Sequence, residues 1–61
     1  MDKDEIIKRL KEHLKAREKM NGELNIRDKY YCIHYVEDFM ECRRTEAIKF
    51  LEENIPVVMN L

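Results

Sequence analysis

Residues 25–40, which read NIRDKYYCIHYVEDFM, contain the pattern that decides the fold. Apolar side chains recur in this segment at spacings of four, three, three and four residues, at Ile26, Tyr30, Ile33, Val36 and Met40. At about 100° per residue these positions fall within roughly 120° of a helix circumference, and Cys32, Tyr35 and Phe39 widen that apolar sector. The pattern predicts a middle helix over residues 26–42 with more apolar surface than one neighbouring helix can cover.

The start of this middle helix has its own signal. Asn25 is suited to the N-cap, and Asp28 occupies the third helical position, from which a carboxylate reaches back to free backbone N–H groups. The competing structure is a strand over residues 30–36, which are rich in residues that favour sheets. Helix is favoured because that strand would be apolar on both faces and no other segment offers it a partner.

The segments on either side are also predicted to be helical. Residues 2–20 have acidic side chains near their start and an apolar stripe, formed by Ile6, Ile7, Leu10, Leu14 and Met20. Asn21-Gly22 then ends this first helix, because glycine accepts the left-handed conformation of a C-terminal cap. A third helix over residues 45–54, capped by Thr45, places Ala47, Ile48, Leu51 and Ile55 on one stripe, and Pro56 ends it.

The sequence allows two connections between the second and third helices. No glycine or proline interrupts residues 26–54, so one continuous helix is compatible with the pattern. A break near residues 42–45 is favoured because threonine is a good N-cap. The apolar tail over residues 56–61 is expected to be extended, and it either docks on a partner or folds back over its own core.

Length and composition narrow the class of protein. The chain has 61 residues, of which 44% are hydrophobic and 41% are charged, and its formal net charge is −1. A chain of about 60 residues buries only roughly 60% of the surface that its unfolded form exposes, so its core needs reinforcement. We therefore predict an all-α fold, a small helical hairpin or three-helix domain that completes its core as a homodimer. The expected location is cytoplasmic, because no apolar run approaches the ~18 residues of a membrane span and the first residues are too charged for a signal peptide.

Few residues offer chemistry of their own. Cys32 and Cys42 would lie about 15 Å apart on one helix, beyond the ~7 Å that a disulfide allows, so both are predicted to be reduced thiols. The single glycine excludes a glycine-rich phosphate loop, and the chain has no serine. No catalytic residue, cofactor or enzymatic activity is predicted.

An acidic face is predicted on the middle helix, where His34, Glu37, Asp38 and Glu41 follow one another at helical spacing. One helix supplies at most part of a metal coordination shell, and this face points away from the apolar sector, so no metal site is predicted. A face of this charge is suited to orienting a basic partner.

A row of lysines on the first helix supports an alternative function. Residues 1–20 contain seven basic and five acidic side chains, a net charge of +2, and Lys8, Lys11, Lys15 and Lys19 share one face opposite the apolar stripe. Such a row is able to contact phosphates, which makes a small nucleic-acid-binding or transcription-regulatory dimer the alternative. A helix-turn-helix over residues 26–55 is disfavoured, because Glu46, Glu52 and Glu53 on its reading helix would repel DNA.

Protein binding is the favoured function, because large apolar side chains are in surplus for so short a chain. Aromatic residues and methionine are enriched at protein interfaces, and the residues predicted to form one are Tyr31, Tyr35, Phe39, Phe50 and Met59. The sequence thus predicts a small regulatory or adaptor protein that binds another protein and associates with itself.

Overall fold

Four helices make up the fold in the computed structural model, which describes residues 2–61. They are α1 (Lys3–Asn21), α2 (Ile26–Met40), α3 (Arg44–Asn54) and the single turn α4 (Pro56–Met59). The described residues contain no strand, so the all-α prediction is confirmed and the alternative strand over residues 30–36 is wrong. None of these helices combines the length and the apolar character that crossing a membrane requires.

Local capping explains where α1 begins and ends. Asp2 is the N-cap, and its Oδ1 accepts a hydrogen bond from the backbone N–H of Glu5 at 2.9 Å. Gly22 ends the helix in the left-handed region, with φ of 82°, and its N–H donates to the Glu18 carbonyl at 2.8 Å. The predicted stop at Asn21-Gly22 is confirmed.

The end of α2 uses the same left-handed conformation without a glycine. Glu41 has φ of 51°, and the N–H of Cys42 donates to the Glu37 carbonyl at 3.2 Å, as in a Schellman motif. The half-buried Cys42 packs against the core, which is the apolar contact that accompanies this motif. The chain therefore turns between α2 and α3, and the continuous helix over residues 26–54 is wrong.

The predicted cap of the third helix is also wrong. Arg43, in an extended conformation, is the N-cap of α3, and no side chain caps the helix there. Thr45 lies inside the first turn of α3 and is exposed. The turn after Glu41 places the N-cap at Arg43, two residues before Thr45.

Reciprocal substitutions at the two left-handed residues should have opposite effects. Gly22→Ala is expected to lower the free energy of unfolding by about 1 kcal/mol, because a Cβ is strained at this φ. A Cβ at Gly22 would meet no atom within 4 Å, so steric contact adds nothing to that cost. Glu41→Gly should instead raise stability by about 0.5 kcal/mol, since the relief of strain exceeds the entropy cost of glycine. Urea unfolding of both variants tests this; destabilisation by Glu41→Gly would contradict the conformation assigned to Glu41.

The core lies between all four helices. Its buried apolar residues are Ile6, Leu10, Leu14, Cys32, Ile33, Val36, Ala47, Phe50, Leu51, Ile55 and Val58. α1 and α2 run antiparallel, because the contacts move back along α1 as they move forward along α2: Arg17 contacts Asp28, and the earlier His13 contacts the later Tyr31. Three residues of the predicted apolar stripes do not enter the core, since Met20 is 77% exposed, Ile26 is 54% exposed and Tyr30 is 45% exposed. Met20 and Ile26 lie at helix ends next to the α1–α2 connection.

The C-terminal tail folds back over its own core. It is helical from Pro56, which occupies the first helical position where its missing N–H costs nothing, and Val58 is fully buried. The expectation of an extended tail is wrong, because burying Val58 requires the chain to turn after Ile55. Of this segment, Val57 remains exposed.

Candidate functional site

An aromatic row runs along one flank of α2. It consists of Tyr31, Tyr35 and Phe39, which are four residues apart and so lie one above the other on the helix. The ring centroids of Tyr31 and Tyr35 are 6.0 Å apart, and those of Tyr35 and Phe39 are 4.5 Å apart. Tyr31 is 43% exposed and Phe39 is 46% exposed, although both have ring neighbours. The row is therefore an apolar surface that faces solvent and whose rings contact one another.

Side chains of α1 form the opposite wall of a groove beside this row. The His13 ring stacks on Tyr31 at a centroid distance of 3.9 Å and an interplanar angle of 16°. Arg9 donates to Glu5 at 3.0 Å, and its interactions with Glu5 and then with Tyr35 raise the pKa of the guanidinium above its ordinary value. The resulting open α1–α2 groove has a volume of about 690 Å³ and is also lined by Lys8 and Glu12. It offers both charges beside an aromatic wall.

A buried carboxylate fixes the end of α2 nearest this groove. Asp28 is 2% exposed; its Oδ2 accepts from the Asn25 backbone N–H at 2.8 Å, and its Oδ1 accepts from Arg17 Nε at 3.1 Å. The Asn25 side chain in turn accepts from the Asp28 N–H, and these reciprocal bonds confirm the predicted capping box. The same Asn25 side chain also accepts from the Arg27 N–H at 2.8 Å. The hydrogen bond from Asn25, followed by the interactions with Arg17, holds the pKa of Asp28 below its ordinary value against the opposing effect of burial.

A smaller recess adjoins the groove at this end, and we call it the cationic notch. Its lining residues are His13, Arg17, Arg27, Asp28 and Tyr31, and its volume is about 190 Å³. Tyr31 and His13 line both the groove and the notch, so the two recesses meet at their stacked rings.

Two predicted interface residues do not lie on the open surface. Phe50 is 9% exposed and belongs to the core, because α3 places it on the same side as Ala47 and Leu51. Met59 is half-buried and packs against the core from α4. The expectation that Phe50 presents its ring to a partner is therefore wrong, and the exposed aromatic surface is that of α2.

The predicted acidic face is partly neutralised. His34 Nδ1 lies 3.2 Å from Glu37 Oε1, and Arg44 Nε of α3 lies 3.9 Å from Glu37 Oε2. Asp38 is exposed, while Glu41 occupies the left-handed cap of α2. Within residues 2–61 no group of three or more His, Cys, Asp or Glu side chains is arranged to hold a metal ion.

The four lysines of the predicted row are all exposed, but they border different features. Lys8 lines the α1–α2 groove, whereas Lys11 and Lys15 line a second groove of about 400 Å³ between α1 and the α3–α4 junction. Glu18 and Val57 also line that second groove. Lys19 lines neither groove.

Both cysteines are free. Burial, with a smaller contribution from the charge of Asp28, raises the pKa of Cys32 to about 11, so this thiol is protonated at neutral pH. Burial also raises the pKa of Cys42, whose Sγ lies 3.8 Å from the Val36 carbonyl oxygen. A thiol that stays protonated is a weak nucleophile.

Sequence reasoning missed the residues of α1 that complete the site. His13, Arg9 and Arg17 contact the aromatic row and Asp28 only because α1 packs antiparallel to α2 in one register. The spacing within α1 gives no sign of that register. Comparisons with protein-family models, with curated proteins and with solved structures found no match.

Proposed function

We propose that this protein is a small interaction module that binds another protein through the aromatic row of α2 and associates with a second copy of itself. The observation that carries the proposal is the exposure of Tyr31 and Phe39 on a row whose rings hold one another in place. Tyrosine and phenylalanine offer large contact areas, and tyrosine is among the residues that contribute most to interface energies. Rings that are already packed lose little conformational freedom on binding.

The size of the core supports self-association. Eleven apolar residues form the buried cluster, and six large apolar side chains remain exposed among residues 2–61. A domain of about 60 residues gains little stability from a core of this kind, so covering its exposed apolar side chains has a clear benefit. Pairing would place the row of one copy against apolar surface of the other.

Removal of the row tests this function. We expect Tyr31→Ala/Phe39→Ala to convert a dimer into a monomer, or to raise the dimer dissociation constant at least about tenfold, with an unchanged circular dichroism spectrum. The matched control is Met20→Ala/Ile26→Ala, which removes two exposed apolar side chains away from the row and should leave the dimer intact. The measurement is solution mass by light scattering during size exclusion, over a range of protein concentrations.

Three outcomes would contradict the proposal. A wild-type protein that is a monomer at every concentration would contradict self-association. Equal solution masses of the two double variants would contradict the assignment of the row as the contact surface. Salt-dependent binding to a DNA duplex that is lost after charge reversal of all four lysines, Lys8, Lys11, Lys15 and Lys19, would support the nucleic-acid alternative instead.

A further inference from the structure

We infer that the cationic notch binds a carboxylate of the partner protein, while an apolar side chain next to that carboxylate packs on the rings of Tyr31 and Tyr35. This inference rests on the proposed function, because it names the chemistry that the partner brings to one end of the aromatic row. The ligand is an acidic side chain or a C-terminal carboxylate within a protein segment.

The first argument is that one guanidinium in the notch is already fixed in place. Arg17 Nε donates to the buried Oδ1 of Asp28, and this carboxylate is itself fixed by the Asn25 N–H. A guanidinium has five N–H donors, so four donors of Arg17 remain for other acceptors. Its side chain is 35% exposed and lines the notch.

The second argument concerns charge. Arg17 and Asp28 balance each other, whereas the Arg27 guanidinium is exposed and forms no ion pair with any residue from 2 to 61. The notch therefore carries one uncompensated positive charge, that of Arg27. Arg27 also lies in the first turn of α2, where the helix dipole favours an anion and disfavours the arginine alone. A bound carboxylate would pair with the charge of Arg27 and would interact favourably with the helix dipole.

The third argument concerns the size and the surroundings of the notch. Its volume of about 190 Å³ admits a carboxylate but not an extended polyanion. In the adjoining groove, Glu5 and Glu12 offset the positive charges of Lys8 and Arg9, so the groove has no basic excess to hold successive phosphates of a nucleic acid strand. Tyr31 and Tyr35 also line this groove, where an apolar group can pack against them. A single carboxylate suits the notch, and an apolar group next to it suits the groove.

N-acetyl-phenylalanine is a probe with this chemistry, since it joins a carboxylate to a benzyl group. We expect it to cause saturable amide shifts at His13, Arg17, Arg27 and Tyr31 in NMR spectra of the ¹⁵N-labelled protein, with a dissociation constant in the millimolar range. Its uncharged amide should bind about tenfold more weakly, as expected for the loss of a charge-assisted hydrogen bond. Arg27→Gln should weaken binding of the acid by a similar factor. Lys49→Gln removes one exposed positive charge elsewhere on a helix and should have no effect.

Equal binding of acid and amide, or binding of the acid that survives Arg27→Gln, would overturn the inference. Tighter binding of inorganic phosphate than of the acid would assign the notch to a phosphoryl group instead. The result is separable from the proposed function, which the row variants test by solution mass. If the acid binds at the notch and Tyr31→Ala/Phe39→Ala assembles as the wild type does, the notch is supported as a carboxylate site and the row is contradicted as the assembly surface.

Discussion

Replacement of Leu10 by alanine should leave most of the protein unfolded at 25 °C. Leu10 is fully buried in the middle of α1, within the apolar core that α1 shares with the other helices. Truncation of a buried leucine to alanine costs about 3–5 kcal/mol, because transfer energy is lost and a cavity remains. A core in a chain this short rarely supplies more than about 3–5 kcal/mol in total, so one truncation removes most of the stability.

Met20→Ala is the matched control for this prediction. It also shortens a large apolar side chain of α1, but Met20 is 77% exposed, so we expect a change within about 0.5 kcal/mol. Urea unfolding followed by circular dichroism gives both values, at one protein concentration because self-association would contribute to stability. A Leu10→Ala variant as stable as the wild type would contradict the packing of α1 described above.

The helical fold was predictable because apolar residues recur at helical spacing in this sequence. Ile33 and Val36 share a face of α2 through spacing alone, and that face is buried. The end of α2 was not predictable in the same way, since a glutamate occupies the left-handed position where glycine is the usual signal. The turn of Pro56–Met59 depends on burying Val58 against residues distant in the sequence, which no local pattern reports.

The candidate site was predictable only where it lies on one helix. Four-residue spacing places Tyr31, Tyr35 and Phe39 on one flank of α2, and the structure has them there. Phe50 has the same chemical character but faces the core, and composition alone does not separate the two situations. The contacts of α1 with this flank depend on the register in which the two helices pack. The spacing of residues within either helix does not report that register.

Asp28→Asn is expected to lower the free energy of unfolding by about 2 kcal/mol at pH 7. The wild-type carboxylate accepts from two donors, Asn25 N–H and Arg17 Nε, with its two oxygens. An asparagine has one acceptor oxygen and one NH₂ group, so one of these donors would face another donor. Leaving a buried polar group without a partner costs about 1–3 kcal/mol, and the exposure of Arg17 to solvent keeps the cost below that of a fully buried ion pair.

The effect of Asp28→Asn should depend on pH in a defined direction. The pKa of Asp28 in the folded protein lies below its unfolded value of about 3.9. The carboxylate therefore contributes its full stabilisation at pH values above about 5, and this contribution is lost as the pH falls through the folded pKa. The difference in stability between the wild type and Asp28→Asn should be largest near neutral pH and should shrink as the pH falls below the unfolded pKa of about 3.9.

Two further variants separate the parts of this network. Arg17→Met removes the ion pair between α1 and α2 but leaves the capping box of Asn25 and Asp28, so its cost at pH 7 should be smaller than that of Asp28→Asn. Asp38→Asn neutralises an exposed carboxylate of the same helix and should leave stability nearly unchanged at each pH. Urea unfolding of the three variants at several pH values makes the comparison. A deficit for Asp28→Asn that did not change as the pH fell below the unfolded pKa of about 3.9 would show that the shape of the side chain, and not its charge, holds α1 and α2 together. The fixed guanidinium of the cationic notch would then lose its basis.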